Sequence, residues 1–270
     1  MDNRPIGVFD SGLGGLTGVK ELVRLLPGED IVYFGDTARV PYGGRGADTI
    51  IRYGKEDIQF LLSKGVKAVL CACGTVSSTL PAAVTDALPV PFVGVVQAAA
   101  QAAVHASCSG RIGVIATAAS VRSGGYEAAV RALRPDSVLT ARACPLFVPV
   151  IENGYVGRDD LIVTTLAKEY LAPVRRAGVD TLILGCTHYP LIAGAIADEM
   201  GPGVRLIDSG AEGAAALRQL LERQDLLNGR TSGGAVSFYV SDSGENFAEV
   251  GGLFLGKDVH GTVHPFTLWD

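Results

Sequence analysis

The sequence of 270 residues lacks a long uninterrupted apolar segment. Its most apolar stretch, residues 89–106, is interrupted by Gln97, Gln101 and His105 and is typical of a strand followed by an Ala-rich helix. A membrane-spanning helix needs about 20 predominantly apolar residues, so we expect no membrane span. The amino terminus also lacks a basic segment followed by an apolar one, and we therefore expect no secretory signal.

Concentrated positive charge is absent as well. The 23 Lys and Arg residues are outnumbered by 28 Asp and Glu residues, which gives a net charge of −5, and the basic residues are scattered. Nucleic acids and anionic lipids bind clustered basic residues. We therefore expect neither nucleic acid nor a membrane surface as a partner.

Cysteine is scarce and odd in number, with five residues at Cys71, Cys73, Cys108, Cys144 and Cys186. Scattered, unpaired cysteines indicate free thiols in a reducing compartment, so we predict a cytoplasmic location. The single residue between Cys71 and Cys73 fits neither the C-x2-C spacing of a zinc knuckle nor a C-x-x-C redox motif. No further pair of Cys or His completes a metal site.

Motifs for organic cofactors are missing too. Residues 12–15, Gly-Leu-Gly-Gly, follow a predicted strand and open a helix. They match neither G-x-G-x-x-G nor a P-loop, because no Lys follows, although their N–H groups could hold a carboxylate. No lysine lies in a context typical of a Schiff base. We predict that the protein uses no cofactor and no metal.

Short apolar runs alternate with longer amphipathic segments along the chain. This alternation predicts an α/β fold with mostly parallel sheets covered by helices on both faces. Strands are predicted at residues 6–9, 31–34, 68–71, 91–95, 112–116, 138–141, 181–184, 204–207 and 236–240. Further helices are predicted near residues 16–26, 48–63, 75–87, 158–177, 190–200, 213–223 and 245–255.

Two pairs of strand endings resemble each other. Asp10-Ser11-Gly12 after the first strand is repeated as Asp208-Ser209-Gly210, and Cys73 and Cys186 both follow an apolar strand and precede a helix. These echoes favour two related α/β halves that face each other across a cleft. Because ligands bind beyond the carboxyl ends of parallel strands, we expect all four clusters at the binding site.

The matching contexts of Cys73 and Cys186 favour a chemical role over the alternative, a buried structural thiol. A thiol at a helix N-terminus meets unpaired N–H groups and the positive end of the helix dipole, so we expect both pKa values to be lowered toward neutrality. The other three cysteines lack this setting and are predicted to be structural. His188, two residues after Cys186, could exchange a proton with it.

Other polar residues near these thiols leave two interpretations open. Asp10 is either a functional carboxylate or a helix cap. Residues 41–44, Pro-Tyr-Gly-Gly, have the composition of a turn, which alone would account for them.

At these residues the chain resembles bacterial glutamate racemases. The resemblance extends over essentially the whole chain, and its combination of motifs is specific. The matching motifs are IGVFDSGLGGLT at residues 6–17, GDTARVPYG at 35–43, IENG at 151–154, LGCTHYPL at 184–191 and DSG at 208–210.

The resemblance implies two pseudo-symmetric, doubly wound domains with the active site in the cleft between them. The predicted boundaries are residues 1–97 plus 209–270 for the first domain and 98–208 for the second. It also implies a homodimer that interconverts L- and D-glutamate without a cofactor and supplies D-glutamate for peptidoglycan.

The resemblance assigns roles to individual residues. Cys73 would take the α-proton from D-glutamate and Cys186 from L-glutamate, assisted by Asp10 and His188 respectively. Inverting a stereocentre needs a base on one face and an acid on the other, which one thiolate and one thiol can supply. The implied substrate-site residues are Asp10, Ser11, Tyr42, Gly43, Gly74, Thr75, Glu152, Thr187 and His188.

Gly74 departs from the family pattern, in which the first cysteine is followed by Asn-Thr. Either the substrate loses a contact, or the loop has been rebuilt around glycine. The unusual continuation Val76-Ser77-Ser78 favours the rebuilt loop. Two alternatives to a glutamate racemase remain: another amino-acid racemase, such as one for aspartate, and a binding or regulatory protein that has lost its activity.

Overall fold

The computed structural model describes residues 1–256 and 263–266, and its strands form two sheets flanked by helices. The strands are β1 (Ile6–Asp10), β2 (Ile31–Gly35), β3 (Ala68–Cys71), β4 (Phe92–Gly94), β5 (Arg111–Ala116), β6 (Val138–Ala143), β7 (Thr181–Leu184), β8 (Arg205–Asp208), β9 (Val236–Val240) and β10 (Val263–Pro265). Three 3₁₀ turns lie at Thr37–Arg39, Tyr42–Gly44 and Tyr189–Ile192.

Helices precede, connect and cover these strands. They are α1 (Leu16–Leu25), α2 (Ala47–Ser63), α3 (Gly74–Ser77), α4 (Ala82–Thr85), α5 (Val95–Ala106), α6 (Ala118–Ser123), α7 (Gly125–Leu133), α8 (Phe147–Glu152), α9 (Leu161–Arg176), α10 (Ala193–Met200), α11 (Ser209–Arg223) and α12 (Gly244–Leu255). Within residues 1–256 and 263–266, none of the helices combines the length and the hydrophobicity that a transmembrane span requires.

The two sheets repeat one topology. The first has the order β10-β9-β2-β1-β3-β4 and the second β6-β5-β7-β8, and every pairing is parallel. The order 2-1-3-4 of the first sheet therefore recurs as 6-5-7-8 in the second. β1, β2, β3 and β7 are buried along their whole length, as strands covered on both faces should be. The predicted α/β class with two doubly wound units is confirmed.

The strand registers place the two thiols at equivalent positions. β1 pairs Phe9 with Cys71, two residues before Cys73, and β5 pairs Ile115 with Leu184, two residues before Cys186. The cysteine echo in the sequence thus reflects the repeated topology.

The second sequence resemblance, between the two Asp-Ser-Gly segments, does not reflect the repeated topology. β1 corresponds to β5, whereas Asp208 ends β8, which corresponds to β4. The Asp208 side chain accepts hydrogen bonds from the N–H groups of Gly210 (2.8 Å) and Ala211 (3.1 Å), so it caps α11. By register, the residue equivalent to Ser11 is Thr117.

Several predicted element boundaries were wrong for local reasons. A single helix was predicted over residues 75–87, but the structure has two short helices, α3 and α4. Pro81, at the N-cap of α4, separates them, because proline disfavours helical backbone in the residue before it. α9 and α11 begin where the Asp160 and Asp208 side chains cap them. Helices α6, α7 and α8 and strand β10 were not predicted.

The predicted domain boundaries fall at the two connections between the sheets. The first, at residues 97/98, lies inside α5, and the second, at 208/209, lies where β8 meets α11. α5 and α11 pack against each other, and α11 also packs on α1. The boundaries themselves stay a prediction.

Candidate active site

One cavity of about 430 Å³ lies between the carboxyl ends of the two sheets. The structure brings every predicted site residue to its wall. These residues are Asp10, Ser11, Tyr42, Gly43, Cys73, Gly74, Thr75, Glu152, Cys186, Thr187 and His188. The segment at residues 208–210, expected at the same place, does not line this cavity, because its aspartate is used as a helix cap.

Cys73 follows β3 and occupies the N-cap position of α3. Its sulfur lies 3.5 Å from the Oγ of Ser11. Burial, together with the neighbouring Asp10, raises the pKa of Cys73 to about 12. The prediction of a lowered pKa was wrong for Cys73. α3 is only four residues long, and the effect of its dipole is outweighed by burial and by the Asp10 carboxylate. At neutral pH Cys73 is therefore a protonated thiol.

Asp10 ends β1 and is buried beside Cys73. Its Oδ2 accepts a hydrogen bond from the N–H of Gly12 at 3.1 Å. Burial raises the pKa of Asp10, while the positive charge of His188 and hydrogen bonds from backbone N–H groups and Cys73 oppose the rise. This carboxyl group can therefore exchange a proton with the thiol more readily than an exposed aspartate could.

Cys186 has a different partner. Its sulfur lies 3.8 Å from Nδ1 of His188, and the opposite ring nitrogen, Nε2, lies 2.9 Å from Oε1 of Glu152. Burial alone would lower the pKa of His188, but the hydrogen bonds to Cys186 and Glu152 outweigh it and raise the pKa to about 10. At neutral pH the ring is a cation that can donate to both neighbours.

The ring of His188 is also held from the side. Phe254 of α12 packs against it at 5.2 Å between ring centroids and 89° between planes. The Glu152 side chain at one nitrogen, the Cys186 sulfur facing the other and the Phe254 ring together fix the imidazole. The two halves of the cavity thus present equivalent thiols with unlike proton-transfer partners.

Gly74 lies where the two thiol-bearing loops touch. A Cβ at this position would lie 2.4 Å from the carbonyl oxygen of Gly185, the residue before Cys186. The hydroxyl of Tyr126 donates to the same carbonyl at 3.3 Å and would lie 3.3 Å from that Cβ. No L side chain fits without a backbone shift, which favours the interpretation of a loop rebuilt around glycine.

Sequence reasoning missed Thr117. It lines the cavity, and its hydroxyl lies 3.0 Å from that of Thr75 and 2.9 Å from that of Ser120, so it links the two halves of the molecule. Its position directly after the predicted strand 112–116, the counterpart of the first strand, was a signal that could have found it.

The three remaining cysteines take different places. Cys71 is buried and Cys108 is exposed. Cys144 is buried and also lines the cavity, and burial raises its pKa to about 12. The contact of Cys144 with the cavity could not be predicted, because a loop residue after β6 has no periodic pattern in the sequence.

The donor set of the cavity is mostly neutral. None of its lining residues that the structure describes is lysine or arginine. Across residues 1–256 and 263–266, no group of three or more His, Cys, Asp or Glu residues is placed to hold a metal ion. The donors available to an anion are therefore hydroxyls, backbone N–H groups and the His188 cation.

The model of the Asp/Glu/hydantoin racemase family matches residues 16–217. The chain belongs to this family, and it is therefore an isomerase.

Individual relatives are similar over nearly their whole length. The glutamate racemase of Geobacter metallireducens is 43% identical over 268 residues, 99% of this chain and 98% of the relative. The crystal structure of the Francisella tularensis glutamate racemase in complex with D-glutamate superposes with a TM-score of 0.92 and 38% identity, covering 100% of this chain and 99% of that one. The Thermus thermophilus glutamate racemase in complex with β-chloro-D-alanine gives a TM-score of 0.89 and 42% identity, with 99% of each chain covered.

Proposed function

We propose that this protein interconverts L- and D-glutamate with two thiols, Cys73 and Cys186, one of which removes the α-proton while the other delivers a different proton to the opposite face. The observation that supports this proposal most directly is the pair of thiols at equivalent strand ends of the two sheets, both of which line one cavity. Close relatives named glutamate racemase support glutamate as the substrate.

The protonated state of Cys73 fits one direction of this reaction directly. Cys73 is a thiol and so acts as the acid, while Cys186 acts as the base with its sulfur facing the His188 cation. Cys186 removes the α-proton of L-glutamate, and Cys73 delivers its proton to the opposite face of the carbanion, which gives D-glutamate. In the reverse direction the two thiols exchange roles.

Asp10 and His188 are proposed to assist these transfers. Asp10 shares a proton with Cys73, and His188 stabilises the negative charge on Cys186 by donating from Nδ1. Glu152 holds Nε2 and fixes the direction in which Nδ1 points, so we assign it to shaping the site through His188.

The carbanion and the substrate carboxylates need donors that are in place before the reaction. We propose that the hydroxyls of Ser11, Thr75 and Thr187 and the backbone N–H groups of Gly43 and Gly74 supply them. Tyr42 completes the wall next to Gly43.

The substrate is tested by incubating the purified protein separately with L-glutamate, D-glutamate and L-aspartate and measuring the enantiomers formed. Racemisation of glutamate in both directions, with aspartate at least about 10²-fold slower, is expected from the specificity that a polar site can achieve. Faster turnover of aspartate would favour an aspartate racemase, and no turnover of any amino acid would favour a binding protein.

Activity is expected without any cofactor, because two thiols suffice as acid and base. Protein dialysed against EDTA in the presence of a reductant should keep its activity, since oxidation of either thiol would remove a proton carrier. A parallel sample receives pyridoxal phosphate or a divalent metal after dialysis. Activity that is lost on dialysis and restored by either addition would contradict cofactor independence.

The cellular setting is part of the same proposal. We propose a cytoplasmic homodimer that supplies D-glutamate for peptidoglycan, with the domain boundaries given above. The five free cysteines support a reducing compartment. Sedimentation of the purified protein tests the dimer, and growth rescue by added D-glutamate in cells depleted of the protein tests the role in the cell wall.

A further inference from the structure

Tyr42 enters the cavity wall from a 3₁₀ turn, but its hydroxyl is anchored on the far side. The Oη atom lies between two carboxyl groups, those of Asp36, after β2, and Asp57, on α2. Both carboxyl groups are completely buried. Asp57 neither lines the cavity nor belongs to any of the motifs shared with racemases.

The hydroxyl of Tyr42 has too few protons to donate to both neighbouring carboxyl groups. The hydroxyl has one proton to donate. Oδ2 of Asp36 is in close contact with Oη, and Oδ2 of Asp57 lies 3.3 Å from it. Because one proton can satisfy only one of these oxygens, a hydrogen bond at the other contact requires a proton on a carboxyl group.

The contacts around Arg39 favour Asp57 over Asp36 as the carboxyl group that carries this proton. Among the residues that the structure describes, the guanidinium of Arg39 contacts the carboxyl groups of Asp36 through Nε, of Glu56 through Nη1 and of Asp57 through Nη2, which lies 3.0 Å from Oδ1. Oδ1 of Asp36 also accepts from the Oγ of Ser241 at 2.7 Å. Asp36 therefore accepts from more donors than Asp57, which leaves Asp57 as the carboxyl group with room for a proton of its own.

The electrostatics of the cluster agree with this assignment. Burial and the neighbouring Asp36 raise the pKa of Asp57 well above its usual range, while Arg39 opposes the rise. The Tyr53 ring packs against the cluster and lies 4.0 Å from the guanidinium carbon of Arg39 and 5.2 Å from the Tyr42 ring.

We propose that Asp57 is a positioning residue, a neutral carboxylic acid that donates a hydrogen bond to Tyr42 and so fixes the cavity wall formed by Tyr42 and Gly43. Tyr42 in turn donates to Asp36, which is held by Arg39 and Ser241. The chain of hydrogen bonds runs from α2 through the turn at Tyr42–Gly44 to the end of β2. The inference rests on the proposed function, because it assigns this wall to glutamate binding.

Two substitutions distinguish a neutral acid from an ion-pair partner. Asp57→Asn keeps a neutral group with a donor and an acceptor, so its KM for glutamate should stay within about twofold of the wild type. Asp57→Leu removes both and should raise KM about tenfold, with kcat changed less than about threefold. This pattern is expected when an interaction that is shared by the ground state and the transition state is lost. Asp48→Asn, an exposed carboxylate in the first turn of the same helix, is the matched control and should behave like the wild type.

The outcomes separate this inference from the function on which it rests. If Asp57→Asn raises KM as much as Asp57→Leu, Asp57 acts as an ionised partner of Arg39 and the neutral acid is wrong. An unchanged KM in Asp57→Leu overturns the positioning role. If that variant does not fold, Asp57→Ser replaces it, because its hydroxyl is too short to reach Tyr42. A wild-type protein without racemase activity overturns the proposed function and this inference together.

Discussion

Replacement of either Cys73 or Cys186 by alanine should abolish racemisation in both directions, with a loss of at least about 10²–10⁴-fold for each. A complete turnover uses one thiol as base and the other as acid, so the remaining thiol cannot complete the inversion alone. Rates measured from L-glutamate and from D-glutamate should therefore fall together in each variant.

Cys108→Ala is the matched control for these variants. It removes an exposed thiol outside the cavity and should leave both rates unchanged. Thermal unfolding of each variant separates loss of chemistry from loss of structure. Near-normal racemisation by folded Cys73→Ala or Cys186→Ala would end the two-thiol assignment.

Gly74→Asn should lower kcat markedly even though it restores the family's usual residue. The new Cβ would lie 2.4 Å from the carbonyl oxygen of Gly185. Neither atom can rotate away, because the oxygen is a backbone atom and a Cβ is fixed by the backbone that carries it. Relieving such overpacking typically costs about 1–3 kcal/mol. The backbone must shift to relieve this contact, and the shift would separate the two thiol-bearing loops. At about 1.4 kcal/mol for each tenfold change in rate, we expect kcat to fall roughly 10- to 100-fold.

The control for this substitution is Gly46→Asn, at a glycine whose Cβ would meet no atom within 4 Å. It introduces the same side chain in open space and should leave kcat unchanged. A lower KM for glutamate at an unchanged kcat in Gly74→Asn would instead mean that the native loop lacks a substrate contact, and the rebuilt-loop interpretation would then be wrong.

The sequence predicted best what depends on local pattern. Strands 181–184 and 236–240 have the predicted bounds, and both thiols were found from their position between an apolar strand and a helix. The helix predicted over residues 75–87 failed at Pro81, whose effect on the preceding residue is itself local and was readable.

What the sequence could not predict depends on contacts between distant segments. The pKa of Cys73 moves upward because Asp10, 63 residues earlier in the chain, is buried beside it. Asp57 reaches Tyr42 only when α2 packs on the first sheet, so no spacing in the chain reveals it. The prediction that residues 208–210 lie at the binding site was wrong, because identical residues can cap a helix at one strand end and line a cavity at another.

The division of proton removal and proton delivery between two different thiols is tested most directly by racemisation in D₂O. Starting from unlabelled L-glutamate, the D-glutamate formed in the first turnovers should carry deuterium at Cα in every molecule, while the remaining L-glutamate stays unlabelled. This follows because Cys73 exchanges its proton with solvent before it delivers it, whereas the proton removed by Cys186 goes elsewhere. D-Glutamate that retains the original α-proton would show that one base serves both faces, and it would contradict the account.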